Sequence, residues 1–275
     1  MDTVLFTLGP VHIYAYGTML ALGYGAAVIL VLREARRRDW SLEVMLDYLI
    51  CVFLAGLLMA RVVFVLYELP YFIAFPEEML SLNTGLSGLG AFLGFVGVTV
   101  WFLHKTDWYY RDLADVLAPP MALAWAITSV GTSTVGRTTV LALAVVADGQ
   151  RLHPLGAYQA IGNYLTFVMG WNLRRRIKFP GQLALVTAFG LGLTQLFVGV
   201  FQERLFATGR QLLGLLTMVA VFSIVKYTDI PQQEHEEMAH YRALGPSRAP
   251  WYRRISWVWG LVLLLSIYYL RAASS

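Results

Sequence analysis

Apolar runs of about twenty residues recur along this 275-residue chain, at about 12–32, 47–67, 85–103, 114–134, 154–173, 181–201, 210–227 and 255–271. Each is close to the ~20 residues a helix needs to cross the bilayer's hydrocarbon core. Backbone polar groups find no water there, so a spanning segment must satisfy them within itself. The expected fold class is therefore all-α and polytopic: a transmembrane body over 1–227, a cytoplasmic connector over 228–254, and an additional C-terminal span over 255–275. Only 14% of residues are charged, against about a quarter in a soluble domain.

Basic residues fix an expected orientation. Arg33, Arg36, Arg37 and Arg38 follow the first run, and Lys105 and Arg111 the third. Arg174, Arg175, Arg176 and Lys178 follow the fifth; Lys226, Arg242, Arg248, Arg253 and Arg254 follow the seventh. The alternate loops and the tail hold only Arg137, Arg151, Arg204, Arg210 and Arg271. Loops rich in Lys and Arg stay cytoplasmic, so the N-terminus is expected outside. The net charge of +4 is spread over these turns, and no nucleic-acid partner is expected. The first run lacks the flanks of a cleavable signal peptide. Cys51, alone in an apolar run, reads as packing. Glu234, Glu236 and Glu237 with two nearby histidines read as a solvated face, so neither a metal nor a cofactor is expected.

The segment from Asp115 to Tyr158 is the least compatible with lipid. It holds Pro119-Pro120, then Trp125, Thr128, Ser129, Gly131, Thr132, Ser133 and Thr134, then Gly136-Arg137 and His153-Pro154. Hydroxyls in hydrocarbon need partners. This stretch is therefore expected to line a cleft bordered by the second, fourth, fifth and sixth spans. Arg61, inside the second run, costs a few kcal/mol unless it snorkels or pairs. Two readings stand level for it: a clamp on a lipid phosphate or carboxylate, or a tether to helix-end carbonyls or Glu68.

An ordered series of short motifs resembles the bacterial prolipoprotein diacylglyceryl transferases. It opens with Leu8-Gly9-Pro10 and Tyr14-Ala15-Tyr16-Gly17, then Arg33-Glu34-Ala35-Arg36-Arg37. Ala60-Arg61-Val62 running to Tyr67-Glu68-Leu69-Pro70 follows, then Ala114-Asp115 with Ala118-Pro119. His153-Pro154 with Tyr158-Gln159, Gly190-Leu191-Gly192 and Gly209-Arg210-Gln211-Leu212-Leu213 complete it. The resemblance implies an inner-membrane protein and a phospholipid partner, phosphatidylglycerol, whose diacylglyceryl group such enzymes move onto a lipobox cysteine. Lipoproteins or another membrane protein are the further partners it suggests.

Against that pattern the family's histidine position is Leu89, its arginine and asparagine in the fourth span are Ser129 and Thr132, and its Arg and Glu in the sixth are Gln195 and Gly199. Removing one transition-state donor typically costs ~10²–10³ in rate, so concerted loss points to a relative that binds lipid or lipoprotein-pathway partners without transfer chemistry. Tyr16, Arg61, Arg137 and Arg210 remain as expected head-group contacts, with Ser87, Ser129, Thr132, Tyr158 and Gln195 lining the cleft. The alternative is an active transferase in which His153 and Tyr16 work with Arg61 and Arg137. A remote third is an intramembrane serine protease, because Gly85-Leu86-Ser87-Gly88 and His153-Pro154-Leu155-Gly156 mimic a serine–histidine pair.

Overall fold

The computed structural model describes residues 4–8, 11–80, 85–141, 143–147, 149–202, 214–219 and 251–274. It is predominantly helical: α1 (Ala15–Arg37), α2 (Leu42–Tyr67), α3 (Leu69–Ala74), α4 (Gly88–Lys105), α5 (Tyr110–Val130), α6 (Leu155–Leu173), α7 (Gln182–Val200) and α8 (Trp251–Ser274). Among the described residues α1, α2, α4, α5 and α7 are long and apolar enough to cross a membrane, and α8 contains the shorter apolar helix Trp257–Ala272. Most of the expected seventh span and most of the connector lie outside the described residues; 214–219 are helical.

Two short antiparallel hairpins accompany the helices of this all-α fold. β1 (Val4–Leu8) pairs with β2 (Val11–Tyr14), and β3 (Val145–Ala147) with β4 (Gln150–Leu152). Pairing through β2 explains why α1 starts at Ala15 and not at residue 12. α5 runs through Pro119-Pro120 but stops at Val130, so Thr132, Ser133 and Thr134 fall beyond it. Connector residues 251–254 belong to α8.

The chain forms two compact units, residues 32–110 and residues 1–31 with 111–275. In the first, α2 and α4 pack along their lengths. Ser41 and Ser87 cap these helices, their hydroxyls accepting from Val44 N at 3.4 Å and Gly90 N at 3.3 Å. Gly90 and Gly94 lie so close to the α2 backbone at Met59 and Ala55 that a Cβ would collide, the small-residue contact expected where lipid removes the hydrophobic drive to associate. Tyr48 bonds Thr99 at 3.0 Å, and Trp40 stacks on Trp108 with 5.0 Å between ring centres.

In the second unit α6 is the hub. Ala157, Ala160, Tyr164, Phe167 and Trp171 join Ala122, Ala126 and Val130 of α5 and Leu264 and Tyr268 of α8 in one buried core. Facing α7, the contact is reciprocal: Gly162 meets Thr194, and Gly190 meets Thr166. Each threonine returns its hydroxyl to the glycine carbonyl one turn back, Thr166 to Gly162 and Thr194 to Gly190, both at 2.9 Å. Two polar side chains are thereby satisfied at the closest approach of the helices.

Candidate functional site

In the unit formed by residues 32–110, Arg61 is buried. Its guanidinium donates to the carbonyls of Met79 at 2.8 Å, Gly85 at 2.9 Å and Glu78 at 2.5 Å. Phe64 and Phe72 lie 5.6 and 5.1 Å from it. Two of these carbonyls, of Glu78 and Met79, belong to the 3₁₀ turn Pro76–Leu80. Nearby Tyr71 donates to Glu78 at 2.8 Å, and this bond is the main cause raising its phenol above the ordinary value of 10. Ser87 serves as the α4 cap, and Leu89 is exposed on the first turn of α4.

The other unit gathers most of the remaining candidates. The segment 136–139 runs against 151–153: His153 N donates to Arg137 O at 3.0 Å, Gly136 N to His153 O at 2.9 Å, and Thr139 N to Arg151 O at 2.8 Å. Arg137 also reaches the end of α7, its backbone N–H donating to Phe201 O at 3.0 Å and its Nε to Gln202 O at 2.7 Å. His153 Nδ1 pairs with the Tyr158 hydroxyl at 2.9 Å. The Phe201 ring lies 4.7 Å from that of His153 and 5.3 Å from that of Tyr158. Arg137, His153 and Tyr158 thus converge on one corner, where α6 begins and α7 ends.

From that corner a groove of about 980 Å³ descends between α6 and α7, from Tyr158 to Leu173 along one helix and from Phe197 to Gln182 along the other. The rise from Tyr158 to Leu173 along α6 makes it about 22 Å long, more than the ~15 Å depth of one leaflet's hydrocarbon. Leu165, Met169, Phe189, Leu193 and Phe197 supply much of its wall; Thr166, Thr194 and Gln182 are its polar members besides Tyr158.

Ser129, Thr132 and Gln195 are not among the groove's lining residues. The buried Ser129 hydroxyl returns to Trp125 O at 2.7 Å, and Thr132 Oγ1 donates to Ser129 O at 2.8 Å. Tyr16, exposed on the first turn of α1, has its backbone against Gly131. Arg210 lies outside the described residues.

One residue noted in the sequence had no role assigned to it. Asp115 of α5 is almost fully buried, at 1% exposure. It accepts from Gly181 N and Ala184 N, both at 2.8 Å. Gly181, at φ +87°, is the N-cap of α7 and has no side chain to offer. A carboxylate from another helix therefore satisfies these orphan amides and the positive end of the helix dipole. A lone Asp inside an apolar run, with a helix start lacking its own cap, was the available signal.

The geometry of hub, corner and groove belongs to a stretch of chain that is recognisably shared. Residues 3–228 match the family described as prolipoprotein diacylglyceryl transferase. The chain belongs to that family. The transferase of Aeromonas hydrophila, named phosphatidylglycerol–prolipoprotein diacylglyceryl transferase, is 31% identical over 214 residues, covering 74% of this chain and 76% of its own. Proteins of the same name from Pseudoalteromonas atlantica and Finegoldia magna are 27% and 24% identical, over 74% and 81% of this chain and 76% and 93% of theirs. As a member of the prolipoprotein diacylglyceryl transferase family with several membrane-length apolar helices, the chain is a membrane protein. α8 begins beyond the matched residues.

Proposed function

We propose that this chain is a phospholipid-binding member of the family that has given up transfer chemistry, with the groove between α6 and α7 holding acyl chain. The single observation that carries this reading is the groove's composition. It offers a long apolar channel leading to Arg137, His153 and Tyr158, and no Asp, Glu, Lys, Arg or His lines it among the described residues. The corner then faces the outer leaflet, in keeping with the distribution of basic residues. The positions where the resemblance places charged family residues support the same conclusion. Ser129 and Thr132 have closed their hydroxyls onto nearby backbone, and Leu89 offers none.

Selectivity has a physical source in this arrangement. An acyl chain leaving the bilayer for the groove exchanges one apolar surrounding for another, so burial alone gives little discrimination. The head-group end must supply it, through charge-assisted hydrogen bonds from a guanidinium to phosphate. Lipid retained through detergent extraction, identified by mass spectrometry, is expected to be enriched in anionic phospholipid. Arg137→Ala is expected to abolish the enrichment, and Leu193→Trp, which fills the groove, to lower total lipid. Lipid that matches the bulk membrane in wild type and both variants would overturn the reading.

The convergence of His153, Tyr158 and Arg137 favours one alternative, retained diacylglyceryl transfer from phosphatidylglycerol to a lipobox cysteine. Thioether lipidation of a lipobox peptide, lost on Arg137→Ala, would establish it in place of the binding role.

A further inference from the structure

α8 lies wholly beyond the family match, which ends at residue 228, yet it sends two polar side chains into the corner end of its unit. Arg271 is buried, and its Nη1 donates to Gly131 O at 2.7 Å and Ser133 Oγ at 3.4 Å, while its Nη2 donates to Thr132 O. Gly131 directly follows the last residue of α5. A guanidinium thus sits on the carbonyl end of that helix, where a positive charge is favoured.

Three residues earlier, Tyr268 covers the first turn of α6. A Cβ on Gly156 would stand 2.8 Å from its ring and 2.6 Å from Thr132 Oγ1. Tyr268 and Ala157 belong to the same buried core. α6 has Pro154 at its N-cap and no side-chain acceptor of its own there. One turn of α8 therefore meets two helix ends: a cation on the carbonyl end of α5 and an aromatic ring over the first turn of α6. Two further bonds hold α8 in place, from Tyr164 OH to Trp257 O and from Tyr269 OH to Leu143 O, both at 2.9 Å.

The segment 131–137 that leaves α5, and 153–158 at the start of α6, carry Arg137, His153 and Tyr158. We propose that α8 is a built-in pin, and that Arg271 and Tyr268 are positioning residues that fix the head-group corner through the ends of α5 and α6. The link to lipid rests on the binding reading above; the pinning of the corner does not.

The test uses the full chain in detergent, with amide hydrogen exchange and retained lipid both followed by mass spectrometry. Arg271→Ala is expected to speed exchange across 131–139 by about five- to tenfold, the factor set by a lost helix cap, while 163–173 and 186–198 keep wild-type rates. It should also remove the anionic enrichment of retained lipid without lowering total acyl content, a change that general loosening does not produce. Arg271→Lys should recover part of both, and Tyr268→Ala, which removes the ring over Gly156, should speed exchange mainly at 155–159. Val258→Ala, on the exposed face of α8, should alter neither. Wild-type exchange at the corner in both Arg271→Ala and Tyr268→Ala would overturn the pin, as would exchange rising equally throughout α6 and α7. If the wild-type protein retains no lipid, the binding reading fails and exchange alone decides the pin.

Discussion

Arg61 and Arg137 carry the same guanidinium, and the fold uses them differently. Arg61 is buried and turned onto carbonyls 17 to 24 residues downstream, whereas Arg137 is exposed beside the end of α7. No sequence pattern distinguishes these fates, because backbone carbonyls are present at every position and only the loop's path decides which are in reach. A lysine at 61 cannot serve three divergent acceptors at once. Arg61→Lys is therefore expected to increase proteolysis around 76–85 while leaving retained lipid unchanged, the opposite pattern to Arg137→Ala. Asp115 gives a second test. Removing its carboxylate leaves the half-buried Gly181 N and Ala184 N without that acceptor, at a cost of about 1–3 kcal/mol. Asp115→Ala should show that loss in thermal unfolding of the detergent-solubilised protein, and Asp115→Asn, which keeps one acceptor oxygen, about half of it.

Helices were legible where hydrophobic pattern alone sets them. α6 and α7, expected at 154–173 and 181–201, begin and end within a residue of those bounds. α1 and α5 were displaced, α1 because β2 claims residues 11–14 for a hairpin, α5 because its chain leaves the helix at Gly131. What pattern could not show was the pairing of α6 with α7, since Gly-x-x-x-Thr on one helix reads as a generic packing face until the antiparallel partner supplies a second Gly-x-x-x-Thr. The reciprocal contact leaves no room for a larger residue: a Cβ at Gly190 would lie 2.6 Å from Thr166 Oγ1. Gly190→Val is expected to destabilise by about 1–3 kcal/mol through overpacking and to lower retained lipid by altering the groove. Thr166→Ser keeps the back-bonding hydroxyl and should change the melting midpoint little.

Membrane character and the family-like body follow from features spread over most of the chain, which is why both were readable before any coordinates. The attachment of α8 was not, because its determinants are local: Arg271 and Tyr268 look like interfacial anchors until their partners are seen. Their importance depends on the solvent. In water, exposing the Leu264 face of a docked helix would dominate, since Leu→Ala in a soluble core costs ~2–5 kcal/mol. In a bilayer the uncovered face of α6 meets lipid tails instead, and only the packing part of that cost survives. The carbonyls of Gly131 and Thr132 gain no such substitute from lipid when Arg271 is removed, so their loss stays near the ~2–3 kcal/mol of a charged hydrogen-bond group. Arg271→Ala is accordingly expected to lower the unfolding midpoint in bicelles more than Leu264→Ala does, although Leu264 belongs to the apolar core. The opposite ranking would mean that apolar packing, and not the polar clamp of Arg271 at the end of α5, holds α8 in place.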